Sequence, residues 1–197
     1  MNEFNPQPVE LDGAIVKLVP MKEAHAEGLM NAGQNRAIWK YMPMNPPVTV
    51  DDYTLMIRAA VKARDEEGDV PFTIIHKEDD KIIGSTRFID VRKEHKGLEI
   101  GWTWLDPDYW QSAVNTECKY LLFCHAFDEL GAIRVQLKTD SRNERSQKAI
   151  LRIGAKREGT LRNHYILHDG YHRHSVMFSV TIKEWKEVKP QLTLRLL

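Results

Sequence analysis

A short polar segment between a predicted strand and a predicted helix is the part of the chain best suited to bind an anion. Residues 98–105 are predicted to form a strand, residues 106–114 a turn, and residues 115–130 an apolar-rich helix that ends at Gly131. A strand that turns sharply into a helix directs several free backbone N–H groups toward one point, with the helix dipole behind them. This geometry holds a phosphate or pyrophosphate, which indicates a nucleotide-bearing ligand.

A second polar group follows the next predicted strand, at residues 133–139. The pattern is Asp140-x-x-Asn143-x-x-Ser146-x-x-Ala149. A spacing of three places Asn143 and Ser146 on adjacent turns of one helix face. On local physics alone, Asn143 would cap this helix and Ser146 would be a solvated helix residue.

Four histidines lie close together near the C-terminal end: His164, His168, His172 and His174. Asp169-Gly170 predicts a two-residue hairpin turn between strands at residues 156–165 and 171–181. In that register the first two histidines lie about 13 Å apart on one face and the last two about 7 Å apart on the other. Four ligands cannot converge tetrahedrally from there, so no metal site is predicted. The same register places Tyr165 opposite His174, either as a proton relay or as a half-buried structural pair.

The remaining pattern is typical of an α+β fold. A first strand at residues 14–19 and a polar helix at 21–35 precede antiparallel strands at 71–76 and 81–91. Helices intervene later, a hairpin closes the chain, and the middle contains a local βαβ unit. The length of 197 residues fits one domain over residues 1–197.

Two segments before the third predicted strand stand out. Residues 38–47 combine large apolar side chains with three prolines, which excludes a regular element. This loop either tucks its aromatic rings onto the core or, from Trp39 to Met44, forms a wall of a substrate pocket. Thr49 and Asp52 predict a capping-box start of a helix. Its apolar face is predicted at Leu55, Met56, Ala59, Ala60 and Ala63.

The helix at residues 115–130 should pack on the sheet through a broad apolar face. Its cysteines, Cys118 and Cys124, lie six residues apart and are turned about 120° from each other, which argues against an intrahelical disulfide. They are interpreted as core thiols in a reducing cytosol. Its polar residues are expected to face water: Glu117, Lys119, His125, Asp128 and Glu129.

Composition excludes some classes of partner. The apolar fraction is 42%, the charged fraction is 28%, and the formal net charge is zero. A neutral chain offers no electrostatic case for nucleic acid or for an anionic membrane. No apolar run is long enough to span a bilayer, and residues 1–8 lack the basic start and apolar run of a signal peptide. A cytoplasmic location is therefore expected.

Three features in this order resemble the GNAT superfamily of acetyl-CoA-dependent N-acetyltransferases. They are Glu99-x-Gly101, the turn and helix from Tyr109 to Glu117, and Asp140-x-x-Asn143-x-x-Ser146 followed by Gly154-Ala-x-x-Glu-Gly159. The likeness is closest to the RimJ/RimL branch, which acetylates ribosomal-protein N-termini, and extends over residues 14–185. It implies a mostly antiparallel sheet, helices on both faces, and one splayed parallel strand pair, at residues 98–105 and 133–139.

The resemblance implies that acetyl-CoA lies in the cleft where those two strands separate. Asn143 and Ser146 match positions near the pantetheine arm and the thioester sulfur, and Ser146 would protonate the leaving thiolate. Trp104 and Leu105 would contact the cofactor, with backbone N–H groups near Trp104 holding the developing oxyanion. The pyrophosphate would rest on Gln111, Ser112, Ala113, Val114, Asn115 and Thr116.

The chain departs from the family pattern in the pyrophosphate loop. Gln111 and Ala113 stand where glycines are usual, and Asn115 stands where a small residue is usual. Glycine permits positive φ, whereas another residue there costs roughly 1–2 kcal/mol. The loop either keeps its N–H groups in place without positive φ, which is the expectation favoured here, or binds the cofactor weakly. Asn115 and Thr116 are candidate helix caps.

The resemblance does not identify which residue acts as the general base. Tyr165 stands where the ribosomal branch often has a glutamate, and His174 stands where an aspartate is common. Glu99 is another candidate carboxylate beside the substrate strand. An α-amine with a pKa of about 7.8 is free in roughly one molecule in seven or eight at pH 7, against roughly one in 2,500 for a lysine amine. An enzyme with a poor base is therefore expected to act on an N-terminal amine or another amine of low pKa.

Two functional hypotheses remain at this point. The first is an N-acetyltransferase that acts on a primary amine, either a protein N-terminus or a small molecule, with a homodimer left open as its assembly. The alternative is a non-catalytic acyl-CoA-binding or regulatory module, suggested by the altered loop and the absent glutamate.

Overall fold

Eight strands and five α-helices are described for residues 4–197 in a computed structural model of the chain. Residues 1–3, at the start of the segment that argues against a signal peptide, lie outside this range. The strands are β1 (Leu11–Asp12), β2 (Val16–Pro20), β3 (Val70–His76), β4 (Lys81–Arg92), β5 (Gly97–Leu105), β6 (Arg134–Asp140), β7 (Lys156–Ile166) and β8 (His172–Thr181). The α-helices are α1 (Ala26–Ala32), α2 (Val50–Glu67), α3 (Val114–Cys124), α4 (Glu144–Arg152) and α5 (Ile182–Leu194). Short 3₁₀ helices cover Glu23–His25, Arg36–Tyr41, Lys93–His95 and Pro107–Tyr109, and a π-helical turn, His125–Glu129, extends α3.

The strands form one sheet in the order β1-β2-β3-β4-β5-β6-β8-β7. Every pairing is antiparallel except that of β5 with β6, which confirms the predicted fold class. The parallel pairing covers only three residue pairs, from Gly97–Arg134 to Glu99–Gln136. Beyond Glu99 the two strands separate, so the pair is splayed at the carboxyl end of β5.

Apolar side chains form two clusters on opposite faces of this sheet. One contains Phe123 of α3 and Trp185 of α5, and the other contains Trp39 and residues of α1 and α2. Trp104 belongs to the second cluster and its neighbour Leu105 to the first, as expected for successive residues of a strand. Of the helices described in residues 4–197, none has the length and apolar character to cross a bilayer.

Two predictions for the segment between α1 and β3 need correction. The capping box of α2 is confirmed, because Thr49 Oγ1 accepts the N–H of Asp52 at 3.2 Å and Asp52 accepts the N–H of Thr49 at 2.8 Å. The predicted face is right at Met56 and Ala60, which are buried, and wrong at Leu55, which is 62% exposed, and at Ala59, which is also exposed. The residues that are buried have a regular helical spacing: Tyr53, Met56, Ile57 and Ala60. The first part of the proline-rich loop is also regular, as the 3₁₀ helix Arg36–Tyr41.

The expectation that Glu117 and Lys119 face water is wrong. Glu117 is 4% exposed, and its carboxylate accepts the backbone N–H groups of Ala14, Ile15 and Val16 at 2.9, 2.8 and 2.7 Å. The turn before β2 leaves these donors without strand partners, and a carboxylate can accept several of them. Glu117 therefore fixes the first turns of α3 against the start of β2.

The C-terminal hairpin has a three-residue loop rather than the predicted two-residue turn. The N–H of Leu167 donates to the carbonyl of Tyr171, and the N–H of Gly170 donates to the carbonyl of Leu167, both at 2.9 Å. Gly170 has φ +82°, typical of a type I turn followed by a left-handed glycine. The register of β7 against β8 is consequently shifted by one residue from the prediction.

Candidate active site

A cavity of about 310 Å³ lies in the opening between β5 and β6. Its walls are residues 100–105 of β5, residues 137–140 of β6, the start of α3, one face of α4, and residues of the 3₁₀ helix Arg36–Tyr41. The predicted position of α3 at this opening is confirmed. Because β6 leaves β5 after Glu99, the backbone groups of residues 100–105 that face the opening are not used by β6.

The segment that leads into α3 presents free backbone donors to the cavity. The helix begins after Ala113, whose side chain provides no cap, and its first backbone bond runs from Glu117 N–H to the carbonyl of Ala113 at 2.9 Å. The N–H of Val114 has only a long bond, 3.3 Å, to Ser112 Oγ. The N–H groups of the first turn thus remain available to an anion, with the positive end of the helix dipole behind them.

The expectation that this loop avoids positive φ is wrong. Gln111 has φ +60°, a left-handed conformation that costs an L-residue roughly 1–2 kcal/mol. The chain therefore keeps the loop shape that glycine usually provides and accepts strain at one residue. Trp102 also has positive φ, +53°, where β5 bulges between its pairings with Ser85 and Arg87 of β4.

Most residues predicted to bind the cofactor line the cavity. The exceptions are Ala113 and Val114, and the Val114 side chain is buried in the core. The loop is expected to bind the pyrophosphate through its backbone N–H groups. The burial of the Val114 side chain in the core therefore does not conflict with this role. The residues that line the cavity are Trp104, Leu105, Gln111, Ser112, Asn115, Thr116, Asn143 and Ser146.

Asn143 and Ser146 are brought to the cavity by the N-terminus of α4. Asn143 is the N-cap, and its side-chain oxygen accepts the backbone N–H of Ser146 at 3.1 Å. The capping interpretation of Asn143 is therefore confirmed. The hydroxyl of Ser146 is partly buried, lines the cavity, and has no hydrogen-bond partner within residues 4–197. It can donate a proton to a group bound there.

Glu99 lies at the base of the opening but is already engaged. Its side chain is 1% exposed, and it accepts hydrogen bonds from Gln136 Nε2 and Lys138 Nζ, each at 2.9 Å. Although burial opposes it, the carboxylate raises the pKa of Lys138. With both donors in place, Glu99 holds a salt bridge across the end of the parallel pair, and its use as a proton acceptor would break that bridge.

The structure separates the two residues proposed as a relay. Tyr165 lines the cavity and pairs with Arg173 across the hairpin, so its predicted pairing with His174 is wrong. His174 is absent from the cavity wall, and its Nδ1 accepts the backbone N–H of Asn163 at 2.8 Å. The one-residue change in the hairpin loop explains this. Among residues 4–197 no group of three or more His, Cys, Asp or Glu side chains could hold a metal ion.

Lys119 is a cavity residue that sequence analysis placed wrongly. It is 5% exposed, and its Nζ donates to Thr103 Oγ1 at 2.6 Å, which shares a 2.8 Å bond with Thr86 Oγ1. Burial lowers the pKa of the amine to about 8. Helical spacing could have found this residue, because positions 112, 115 and 116 line the cavity and position 119 continues the same face.

Arginines form a further part of the wall that the sequence did not reveal. Arg145 of α4 stacks on Trp110, with its guanidinium carbon 3.3 Å from the ring centre. Arg173 is 6% exposed and donates to the carbonyl of Tyr41 at 3.3 Å. In a strand that reads His-Arg-His-Ser, nothing in the sequence separates a buried arginine from a solvated one.

Comparison with known proteins agrees with this geometry. The sequence pattern described as "Acetyltransferase (GNAT) domain" matches residues 16–156. The uncharacterized N-acetyltransferase YoaA of Bacillus subtilis strain 168 is 22% identical over 156 residues, which are 79% of this chain and 86% of that protein. The uncharacterized N-acetyltransferase p20 of Bacillus licheniformis is 27% identical over 144 residues, 73% of this chain and 80% of that protein.

Solved structures show the same fold over almost the whole chain. A GCN5-related N-acetyltransferase from Brucella melitensis superposes with a TM-score of 0.92 at 25% identity, covering 98% of this chain and 87% of that one. A ribosomal-protein-S5-alanine acetyltransferase from Vibrio fischeri has a TM-score of 0.75 at 17% identity, covering 90% and 98%. The second likeness shows the shared fold alone.

Proposed function

Because the chain belongs to the GNAT family of acetyltransferases, we propose that it transfers the acetyl group of acetyl-CoA to the α-amine of a protein N-terminus or of a small molecule. The observation that carries this proposal is the cavity at the splayed end of β5 and β6, with the N-terminus of α3 at its mouth. When bound, acetyl-CoA supplies an activated acyl group. The resemblance to the RimJ/RimL branch favours a protein N-terminus as acceptor.

The residues present fit this ligand. The N–H groups of residues 111–116, in a loop held open by the positive φ of Gln111, suit a pyrophosphate. Arg145 and Arg152 of α4 line the same cavity and add positive charge for phosphate groups. The unpaired edge of residues 100–105 suits the amides of an extended pantetheine arm.

Each catalytic role falls to a group at the cavity wall. Backbone N–H groups near Trp104 would hold the carbonyl oxygen as negative charge develops on it. The hydroxyl of Ser146 would donate its proton to the departing sulfur. Glu99 is engaged with Lys138 and His174 lies outside the cavity, which leaves Tyr165 as the candidate base that is both at the wall and not ion-paired. The α-amine of a protein or peptide N-terminus needs little help, since a useful fraction is unprotonated at neutral pH.

Calorimetric titration with CoA, together with thiol release over a panel of amines, tests the proposal. The informative variant is Asn115→Asp, which places a carboxylate beside the N–H groups of the first turn of α3. A negative charge there stabilises the helix but repels a pyrophosphate, so CoA affinity should fall about 5- to 30-fold while the melting temperature holds. Gln191→Glu, an amide-to-acid change at an exposed position of α5, is the matched control and should change neither.

The outcomes separate the two functional hypotheses. Acetyl-CoA-dependent thiol release with at least one amine supports the proposal. Tight CoA binding without release on any amine would favour the non-catalytic module instead. No binding of CoA or acetyl-CoA at millimolar concentration would reject both hypotheses.

A further inference from the structure

Arg173 is a buried guanidinium with few partners. Only one of its five N–H donors has an acceptor within residues 4–197, the carbonyl of Tyr41 at 3.3 Å. Its Nε is fully buried and has no hydrogen-bond partner in this part of the chain. Burying a cation is energetically unfavourable unless it is paired with an anion and hydrogen-bonded. Most of the hydrogen-bonding capacity of Arg173 is therefore available to a ligand.

The nearest acidic side chains are already neutralised by other cations. Asp140 is held by Arg142, whose Nε and terminal nitrogen donate to the two carboxylate oxygens at 3.0 and 2.7 Å. Glu99 is held by Lys138. Within residues 4–197, Arg173 forms no salt bridge with any carboxylate. The part of the chain that the structure describes supplies no anion to this guanidinium.

The charge on the cavity wall also points to an anionic ligand. Five cationic side chains face two carboxylates there: Lys119, Lys138, Arg145, Arg152 and Arg173 against Glu99 and Asp140. Arg145 and Arg152 belong to α4, on the side assigned to the cofactor phosphates. Arg173 instead lies beside Tyr165, 5.5 Å from its ring centre, and donates a hydrogen bond to the carbonyl of Tyr41.

We propose that Arg173 binds a carboxylate of the acceptor, so that the acetylated amine also carries an acidic group. This inference rests on the proposed acetyl transfer and narrows its substrate class. Three apolar residues line the same cavity as Arg173: Ile38, Met42 and Pro43. They can contact an apolar side chain of the acceptor near its amine and carboxylate groups. A free amino acid with an aliphatic side chain has this chemistry, and so does a peptide that begins with an acidic residue.

Matched acceptor pairs test the inference on the intact enzyme with acetyl-CoA. Leucine is compared with leucinamide, and a peptide amide beginning Asp-Leu with one beginning Asn-Leu. In at least one pair the carboxylate-bearing member should have the lower KM. Leucinamide has the lower α-amine pKa of the two, so more of its amine is unprotonated at neutral pH. Amine reactivity alone would therefore favour leucinamide, and a lower KM for leucine cannot be explained by it. The pair with the larger difference identifies the source of the carboxylate.

The variant Arg173→Gln assigns the effect to this side chain. Glutamine keeps an N–H donor for the carbonyl of Tyr41 but removes the charge. The KM for the preferred carboxylate-bearing acceptor should rise about 10- to 100-fold, since hydrogen bonds to charged groups contribute about 1.5–3 kcal/mol. The KM for the uncharged partner and kcat for both should change little. Arg173→Lys should recover part of the loss, and Arg157→Gln, at an exposed position of β7, is the control.

A binding measurement decides the matter independently of turnover. In the presence of CoA, N-acetylleucine should bind more tightly than N-acetylleucinamide, and Arg173→Gln should remove the difference. Equal KM values within both acceptor pairs, or an equal loss on charged and uncharged acceptors in Arg173→Gln, would overturn the inference while acetyl transfer stands. If no amine gives thiol release from acetyl-CoA, the result counts against the proposed function instead. The binding measurement would still decide whether Arg173 recognises a carboxylate.

Discussion

Lys119 carries a charge that the fold buries without a counter-ion, and its replacement by methionine should therefore stabilise the protein at neutral pH. The amine is hydrogen-bonded to Thr103 but forms no salt bridge within residues 4–197. Methionine has a similar length and suits irregular gaps in a core. Thr103 would keep Thr86 as a hydrogen-bond partner. The substitution thus removes the charge and leaves little unsatisfied.

The magnitude follows from the shift in the pKa of Lys119. Burial lowers this pKa from 10.5 to about 8. At about 1.4 kcal/mol for each pH unit, the charged amine lowers the free energy of unfolding by roughly 3 kcal/mol below pH 8. Between pH 8 and 10.5 the unfolded chain binds a proton that the folded chain has released, so the stability of the wild type rises with pH in this window. The advantage of Lys119→Met should shrink over the same window.

The measurement is urea unfolding of both proteins without ligand, followed by tryptophan fluorescence from about pH 7 to pH 10.5. Other titrating groups cancel in the difference between the two proteins. Lys186→Met, at an exposed position of α5, is the control and should give a small difference that does not depend on pH. A difference for Lys119→Met that is independent of pH would refute the reasoning, because it would mean that the amine keeps an ordinary pKa in the folded state.

Two further predictions concern the loop and the serine at the cavity. Gln111→Gly should leave stability unchanged or raise it by up to about 1 kcal/mol, because relief of the strained φ exceeds the backbone entropy of glycine, whereas Ala59→Gly, at an exposed position in the middle of α2, should lower stability by about 0.5–1 kcal/mol; thermal unfolding that shows the same sign for both variants would contradict this. Ser146→Ala should lower kcat about 10²- to 10⁴-fold with CoA affinity nearly unchanged, because the cap on α4 uses the backbone N–H of residue 146 and survives the substitution; wild-type kcat in this variant would remove Ser146 from the chemistry.

Elements with strong local signals were predictable from the sequence. The strand, turn and helix between residues 97 and 124, and the capping box at Thr49, follow from patterns within a few residues of each other. The splayed parallel pair came from the resemblance to a known family rather than from periodicity. No local rule distinguishes parallel from antiparallel pairing for β5 and β6, because their partners are set by the whole sheet.

The errors have two causes, a distant partner that decides where a side chain lies and a local pattern that suits two turns equally well. Glu117 is buried because three backbone N–H groups about a hundred residues earlier need an acceptor, and a helix pattern does not contain that information. The hairpin was displaced by one residue because Asp169-Gly170 suits both a two-residue turn and a three-residue loop with a left-handed glycine. That single residue moved Arg173, rather than His174, opposite Tyr165.

Backbone strain and unpaired buried charge occur together at the cavity between β5 and β6. Asp80, Asp90 and Asn163 adopt positive φ with side chains that tolerate it, and Lys96 does so at a helix end. Within residues 4–197, the two remaining non-glycine residues with positive φ line the cavity: Trp102 and Gln111. Two buried cations that have no carboxylate partner among the described residues line it too: Lys119 and Arg173.

Backbone strain and unpaired charge are commonly found at functional sites, and two of the sequence predictions that failed, those for Gln111 and Lys119, concern such positions. The free N–H groups before α3 and the guanidinium of Arg173 lack the same thing, a negatively charged oxygen. A pyrophosphate at one end of the cavity and a carboxylate at the other would satisfy both. The electrostatics of the cavity therefore favour a pair of anionic ligand groups with the acyl-transfer chemistry between them.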